Sequence, residues 1–182
     1  MDIAGLPDRI AAGIQLLISG DKPKPGGLSL GKCYYYADGS NNFWALLYDS
    51  GLSSEALTWQ DDKELSRLGI GLTDLNKSDE LGSGHIRLEA LVREFRPQCM
   101  AFNGKGVAKD YVRQAGTHER VELGLQDWRI ADTEVFVLPS SSGLNTHPLL
   151  LGRDELLLDK PAWWAQLAMH LGRRSRAGVA ET

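Results

Sequence analysis

Four short apolar runs, separated by stretches with helical spacing, constrain the fold of this chain more than any other feature. The runs are QLLIS from Gln15, GIGLTDL from Gly69, QCMAFNG from Gln98 and EVFVLPS from Glu134. Each is short and is followed by small, polar or turn-forming residues, which is typical of buried strands. The sequence therefore predicts four strands spread along most of the chain.

Segments with apolar residues three or four positions apart lie between and after these runs. Gly51, Gly69 and Pro97 would end three of them, and Pro161 suits the first turn of the last. The predicted helices are NNFWALLYDSG, WQDDKELSRLG, HIRLEALVREFRP, KGVAKDYVRQAG and PAWWAQLAMHLGRR. Strands that alternate with helices predict an α/β fold, here a three-layer α/β/α arrangement around a central, mainly parallel four-stranded sheet.

The length of 182 residues, with 42% of them hydrophobic, suits one domain with a sizeable core. We expect this single domain to span residues 1–174 and the remainder, 175–182, to be a flexible tail. No apolar run approaches the length of a membrane-spanning helix, so no membrane association is expected.

The net charge of -4 argues against a protein held to nucleic acid by overall electrostatics. Two local clusters of lysine or arginine residues could still bind phosphates, although the cluster near the C-terminus could instead be a basic tail after a helix. They are Lys22, Lys24 and Lys32, and Arg173, Arg174 and Arg176.

The cysteines and histidines give no sign of a metal site. Cys33 and Cys99 lie far apart and no secretory leader precedes them, which favours a reducing compartment. His85, His118 and His170 lack metal-ligand spacing, and there is no ATP phosphate loop or dinucleotide fingerprint. We therefore expect a cytoplasmic monomer, nucleoid-associated if bacterial, that needs no metal or cofactor.

The predicted strand ends locate a ligand site. In open parallel sheets, ligands bind in the crevice beyond the carboxyl ends of the strands. Here those ends read GDKPKP, TDLNKS, FNGKG and LPSSSGLNTH, which are rich in small, polar or charged residues. The long loop GGLSLGKCYYYADGSNN also contains three consecutive tyrosines, which cannot all be buried, so one could stack on a ligand ring.

These motifs, in this order, resemble the uracil-DNA glycosylase superfamily, and within it the mismatch-specific uracil/thymine glycosylases. GDKPKP stands where that family has G-I-N-P-G, NNFWALLYDSGL resembles its N-R-F-W helix, and GIGLTDL resembles its G-V-T-K-L strand end. VLPSSSGLN resembles its second motif, N-P-S-G-L or S-S-S-A-R. The resemblance covers about Leu16 to Pro148, and the YY, N-x-FW and FNG details also resemble the hypoxanthine-DNA glycosylase branch.

The first motif departs from the family pattern. Lys22 replaces the asparagine that positions the attacking water in the mismatch-specific group, and Asp21 precedes it where other branches carry glutamate or glutamine. Cleavage of an N-glycosidic bond builds positive charge on the sugar, which a nearby carboxylate stabilises while it also activates water. Asp21 and Asp74 are therefore the candidate catalytic carboxylates, although either could be an ordinary turn residue.

Lys22 has several possible roles. It could contact a DNA phosphate, stabilise the departing base, or attack the sugar as an amine nucleophile, and we favour the first two. A surface lysine without a role is also possible.

The resemblance implies further site residues. Tyr36 has the spacing of the aromatic residue that stacks on a flipped base, and Asn41 aligns with an asparagine implicated in activity in the hypoxanthine branch, although Asn41 could instead cap a helix. The remaining candidates for substrate binding are Gly20, Lys22, Pro23 and Ser140.

The segment SSSGLNTHP suits a duplex whose target base must be extruded. Ser141, Ser142 and Gly143 could bind phosphates, Leu144 could enter the gap left by the base, and Asn145 or His147 could touch the other strand. Lys22 and Lys24 complete the candidate DNA contacts. A serine-rich turn without such a role is the alternative, and a Ser141–His147 hydrolase is disfavoured because the nucleophile elbow is absent.

The sequence thus predicts a monofunctional DNA repair glycosylase that flips uracil from DNA and hydrolyses its N-glycosidic bond, leaving an abasic site. Its partner would be DNA that contains uracil or abasic sites. Removal of hypoxanthine is an alternative activity, and a non-catalytic protein that holds abasic sites is an alternative of another class.

Overall fold

A computed structural model describes residues 5–23, 27–77 and 83–173 of the chain. Lys24, Arg174, Arg176 and the predicted tail at 175–182 lie outside these residues. Four strands coincide with the four apolar runs. They are β1 (Leu16–Gly20), β2 (Ile70–Asp74), β3 (Cys99–Asn103) and β5 (Thr133–Leu138).

The strands form a five-stranded sheet in the order β2-β1-β3-β5-β4, where β4 is Gly124–Ile130. Strands β2, β1, β3 and β5 are parallel to one another, and β4 runs antiparallel to β5 at the edge. In the register, Gly20 pairs with Asp74, so the last residues of β1 and β2 lie side by side. The short strands β6 (Leu150–Leu151) and β7 (Leu157–Leu158) form a separate ribbon.

Four helices flank the sheet. A short helix, α1 (Leu28–Lys32), lies in the loop that follows β1, which we call the first loop. The four are α2 (Phe43–Asp49), α3 (Gly84–Phe95), α4 (Lys105–Ala115) and α5 (Lys160–His170). Helix α5 begins where the sequence predicts, because Asp159 caps it by accepting a hydrogen bond of 2.8 Å from Ala162 N and Pro161 occupies its first turn.

Two buried clusters separate the three layers. One side of the sheet, including Leu16 and Ile18, packs against Phe43 of α2 and Trp164 of α5. The other side packs against α3 and α4, in a cluster that also contains Trp163. The predicted α/β fold is therefore confirmed, with five strands instead of the predicted four.

The additional strand is β4. Its residues alternate between buried and exposed, since Trp128 and Ile130 face the core while Asp127 and Arg129 face solvent. This alternation is the pattern of an edge strand with one buried face, but Gly124 and Gln126 occupy the inward positions where apolar residues would have made it evident.

The predicted helix in WQDDKELSRLG is instead two 3-10 turns, Trp59–Asp61 and Leu65–Leu68. Two carboxylates in this segment bind loop backbone. Asp61 accepts a hydrogen bond from Thr58 N, and the buried Asp62 accepts one from Tyr35 N. The Asp61 bond caps the first 3-10 turn, and the Asp62 bond attaches the segment to the first loop.

No helix in the described ranges is long and apolar enough to cross a membrane.

Candidate active site

A cavity of about 310 Å³ opens at the carboxyl ends of the parallel strands. The first loop follows β1 and the serine loop, Ser140–Asn145, follows β5. The two loops meet at the mouth of the cavity, because the parallel strands of the sheet all end at the same edge. Its lining includes Gly20, Asp21, Lys22, Pro23, Tyr36, Asn41, Asp74, Ser142, Gly143 and Leu144. The structure therefore brings together ten of the candidate residues.

Asp74 ends β2 and lies at the buried side of this cavity. Only 4% of the residue is exposed. A Cβ atom placed on Gly20 would lie 2.6 Å from Asp74 Oδ1 and 3.0 Å from the Tyr36 hydroxyl, so both side chains cover the same backbone position. Glycine at position 20 leaves room for both the carboxyl group and the phenol on this side of β1.

Burial and charge change the acidity of Asp74. Desolvation raises its pKa to about 7, Lys77 lowers it, Asp8 and Asp21 raise it, and Arg87 lowers it. Near neutral pH the carboxyl group therefore exists in both protonation states, which suits a group that must accept a proton.

Two polar atoms at the cavity have no hydrogen-bond partner among the residues that the structure describes: Asp74 Oδ2 and the Tyr36 hydroxyl. Desolvation and the nearby Asp74 raise the pKa of Tyr36, so its phenol is neutral. Asn103 lies close enough to lower this pKa in part, but its amide is committed to Ser141 and makes no hydrogen bond to the phenol. Buried polar atoms without partners indicate a place for a polar ligand.

Asp21 lies on the same cavity in a different environment. It is exposed, and its Oδ1 accepts a hydrogen bond from Asn76 Nδ2. The same Asn76 amide donates to Asp110 Oδ2 at 2.8 Å, and Gln114 Nε2 donates to Asn76 Oδ1 at 2.7 Å. The Asp21 side chain is therefore solvated and tied to α4.

Tyr36 presents only part of its ring to the cavity. Phe43 stacks on it, with ring centroids 3.8 Å apart and planes 19° from parallel. Phe43 therefore closes this face of the ring to a base. The backbone of Tyr36 adopts a positive φ of 52°, an uncommon conformation for a non-glycine residue that is frequent at functional sites.

Asn41 uses its carbonyl oxygen locally. Its Oδ1 accepts a hydrogen bond of 2.9 Å from the backbone N of Phe43, the first residue of α2, although the N-cap residue of this helix is Asn42 and not Asn41. Because the residue lines the cavity, the Nδ2 group is the part of the side chain left for a ligand.

The serine loop divides into a buried and an exposed half. Ser141 is fully buried, exchanging hydrogen bonds with the Asn103 side chain, so its hydroxyl is not presented to a phosphate. Ser140 does not line the cavity, and its hydroxyl accepts a hydrogen bond from Ser142 N. Leu144 is 82% exposed, and His147 is also exposed beyond it.

Three supporting residues were not identified from the sequence. Asn103 ends β3 in the FNGKG segment, so its position at a strand end could have indicated it. Asn76 follows Asp74 by two residues and orients Asp21. Lys160 contacts the serine loop from α5, and no sequence pattern indicates it.

Within the described ranges, no group of three or more histidine, cysteine or acidic residues could hold a metal ion.

Two comparisons with known proteins concern the fold and the family of the chain. A solution NMR structure of a candidate uracil DNA glycosylase from Methanosarcina acetivorans matches with a TM-score of 0.57 and 20% sequence identity, over 93% of this chain and 98% of that chain. At this identity the match supports the fold alone. The family model described as the uracil DNA glycosylase superfamily matches residues 7–168. The chain therefore belongs to the uracil DNA glycosylase superfamily, and this membership implies a hydrolase that acts on the N-glycosyl bonds of damaged bases in DNA.

Proposed function

We propose that this protein removes uracil from DNA by hydrolysing the N-glycosidic bond, with Asp74 as the carboxylate that faces the sugar and activates water. The observation that carries the proposal is the buried Asp74 carboxyl group on the cavity, whose Oδ2 has no partner in the described part of the chain. Such an atom is costly in the free protein and becomes satisfied when a water or substrate binds.

The chemistry follows from this position. As the bond to the base lengthens, positive charge builds on the sugar and negative charge on the base. An ionised Asp74 stabilises the sugar, accepts a proton from the attacking water and leaves the new hydroxyl on the sugar carbon. Its pKa of about 7 makes the ionised form available at neutral pH while keeping it basic enough to take the proton.

Asp21 and Lys22 serve at the rim of the site in this proposal. The Asp21 carboxylate is exposed and held by Asn76, so it adds negative charge near the sugar. Lys22 is exposed at the mouth, where it contacts a DNA phosphate or the departing base. Because Lys22 is not buried, the desolvation that would activate an amine nucleophile is missing.

The base is bound on the side opposite the serine loop. The free face of Tyr36 stacks on it, Asn41 Nδ2 donates to an oxygen of the base, and Gly20 and Pro23 shape the wall. A neutral Tyr36 hydroxyl can donate to the base or to the water beside Asp74.

The exposed half of the serine loop acts on the duplex. Leu144 enters the gap left by the extruded nucleotide, and the Ser142 and Gly143 backbone contacts the neighbouring phosphates. Asn145 and His147 lie further out and face the opposite strand. Ser140 and Ser141 support the loop from within.

Within the superfamily, we place the chain nearest the mismatch-specific uracil/thymine glycosylases, on the strength of its NNFW helix and LPSSSG segment. The replacement of the usual asparagine by Lys22 means that the water must be activated elsewhere, and Asp74 supplies the needed group.

The decisive experiment uses an end-labelled duplex with one uracil, incubated with the protein and then treated with alkali. Strand breaks at the uracil position support the proposal. Matched duplexes that carry hypoxanthine or thymine report the substrate range, so breaks only at hypoxanthine would replace uracil as the substrate. A retarded band without breaks would show binding without excision and overturn the proposed activity.

A borohydride reaction on the same uracil duplex tests the mechanism. Hydrolysis through Asp74 leaves no covalent adduct. A trapped protein–DNA adduct that disappears in Lys22→Met would establish the amine mechanism instead.

A further inference from the structure

Lys160, the first residue of α5, contacts the serine loop and has little exposed surface for a lysine. It is only 9% exposed, and its Nζ donates a hydrogen bond of 2.9 Å to the Ser142 carbonyl oxygen. In the described part of the chain no carboxylate forms an ion pair with it, and burial lowers its pKa. A lysine with so little exposed surface and no carboxylate partner in the described residues loses favourable hydration, so its position calls for a reason.

The carbonyl that Lys160 binds closes the turn that presents Leu144. Ser142 O also accepts a hydrogen bond of 3.1 Å from Asn145 N, which makes residues 142–145 a tight turn. Leu144 N adds a bond of 3.3 Å to Ser142 Oγ. Lys160 therefore binds the carbonyl group that closes the turn carrying the exposed leucine.

The rest of the loop is attached to the segment before α2. Asn42 N donates to Ser141 O at 2.9 Å. Gly143 lies against the Ser40 carbonyl oxygen so closely that a Cβ atom would clash with it. The contacts from Ser40 and Asn42 hold one side of the loop, and the contact from Lys160 holds the side that faces α5.

We propose that Lys160 is a positioning residue that holds the Ser142–Asn145 turn rigid, so that Leu144 can enter the base stack. This inference rests on the proposed role of Leu144 in base extrusion. A side chain that separates stacked bases must not retreat as it is pushed. Hydrogen bonds from a charged donor are stronger than neutral ones, so an ammonium group gives the turn firmer support than a neutral donor would.

The test compares excision of uracil from duplex and single-stranded DNA by four variants. Lys160→Met removes the donor, Lys160→Arg keeps one, Leu144→Ala removes the exposed side chain, and Lys109→Met is a control that removes an exposed lysine of α4. We expect Lys160→Met to lower kcat/KM on duplex DNA about 10- to 100-fold. Activity on single-stranded uracil DNA, where no stack has to be opened, should stay unchanged, and Lys160→Arg should retain most duplex activity.

A double mutant separates action through the turn from a general effect on folding. If Lys160 acts through Leu144, then Lys160→Met should cost little when Leu144 is already alanine. Equal losses on duplex and single-stranded DNA, or additive losses in the double mutant, would overturn the proposal.

Two further readouts keep this inference distinct from the proposed activity. Affinity for a duplex with an abasic site analogue should fall in Lys160→Met with no change in its salt dependence. If the slope of log affinity against log salt instead falls by about one, Lys160 contacts a phosphate directly and the positioning role is wrong. If Leu144→Ala weakens duplex binding and Lys160→Met does not, only this inference fails, whereas wild-type protein without excision overturns the proposed function.

Discussion

The ends of β1 and β2 lie side by side and bring two carboxylates to one cavity in opposite environments. Asp74 is buried, has a raised pKa and keeps one oxygen without a partner in the described ranges. Asp21 is exposed and accepts a hydrogen bond from Asn76. The comparison teaches that a solvated, hydrogen-bonded carboxylate costs the fold little, whereas a buried carboxyl oxygen without a partner costs stability, and the catalytic role that we propose for Asp74 is a reason for keeping it.

The largest expected effect comes from exchanging each carboxylate for its amide. Asp74→Asn should lower kcat for uracil excision about 10²- to 10⁴-fold, the usual contribution of a general base, because the amide cannot accept the proton. Asp21→Asn, the matched control, should lower it by less than about tenfold, since it removes only charge at the rim. Single-turnover rates measure both, and the reverse order would move the catalytic role to Asp21.

A smaller loss is expected from Gly20→Ala. Its methyl group would lie 2.6 Å from Asp74 Oδ1 and 3.0 Å from the Tyr36 hydroxyl, so both must move. Displacement of a catalytic group by about 1 Å costs about 10²-fold in rate. Single-turnover excision should therefore fall while the melting temperature stays close to that of the wild type, and full activity would show that Asp74 does not act from this position.

The pH dependence of the reaction reports the pKa of Asp74 directly. Because the ionised form is active, kcat/KM should rise with pH through about 7. Lys77 lowers this pKa, so Lys77→Met should move the rise to higher pH, while Lys63→Met, at an exposed site, should not. A profile that is flat from pH 5 to about 9 would exclude Asp74 as the base.

The same pKa predicts how stability changes with pH. An exposed aspartate has a pKa of 3.8, and folding raises that of Asp74 to about 7. Between these values the folded protein holds a proton that the unfolded chain releases, so this contribution is present below 3.8 and is lost as the pH rises through about 7. Urea unfolding of Asp74→Asn should lack this decline, and an identical decline in the variant would assign it to another group.

The smallest effect concerns the phenol beside Asp74. Tyr36→Phe removes a buried hydroxyl that has no partner in the described chain, so the free energy of unfolding should rise by about 1 kcal/mol, or about 2–4 °C in melting temperature. Excision should slow at the same time if the hydroxyl contacts base or water. A drop in stability would mean that the hydroxyl is satisfied in solution.

The sequence predicted that these loops share one cavity, because parallel topology determines at which edge of the sheet a loop lies but not how its side chains are oriented. The runs ending in GDKPKP and LPSSSG had to open at the same edge of the sheet, and residues 20–23 and 142–144 do line one cavity. Which carboxylate would be buried could not be predicted, since Asp21 and Asp74 both follow apolar strands. The difference between the two carboxylates involves Gly20, the packing of Tyr36 and Asn76, which is 55 residues from Asp21 in the sequence. No local sequence pattern encodes these contacts.

Neither the contact of Lys160 with the serine loop nor strand β4 could be predicted from local sequence patterns. Lys160 stands between a capping aspartate and a proline, which predicts the start of a helix and nothing about the loop at residue 142. Buried and exposed residues alternate regularly in strand β4. Because Gly124 and Gln126 occupy two of the inward positions, the sequence does not show an alternating apolar pattern there.

The two tryptophans of α5 anchor the helix that contacts the serine loop through Lys160. Trp164 belongs to the cluster on one side of the sheet and Trp163 to the cluster on the other. The helix can neither roll about its axis nor slide along it without opening both clusters at once. In the DNA-binding role that we propose for Leu144, a force on this side chain would pass through the Lys160–Ser142 hydrogen bond into a helix that is packed in both clusters.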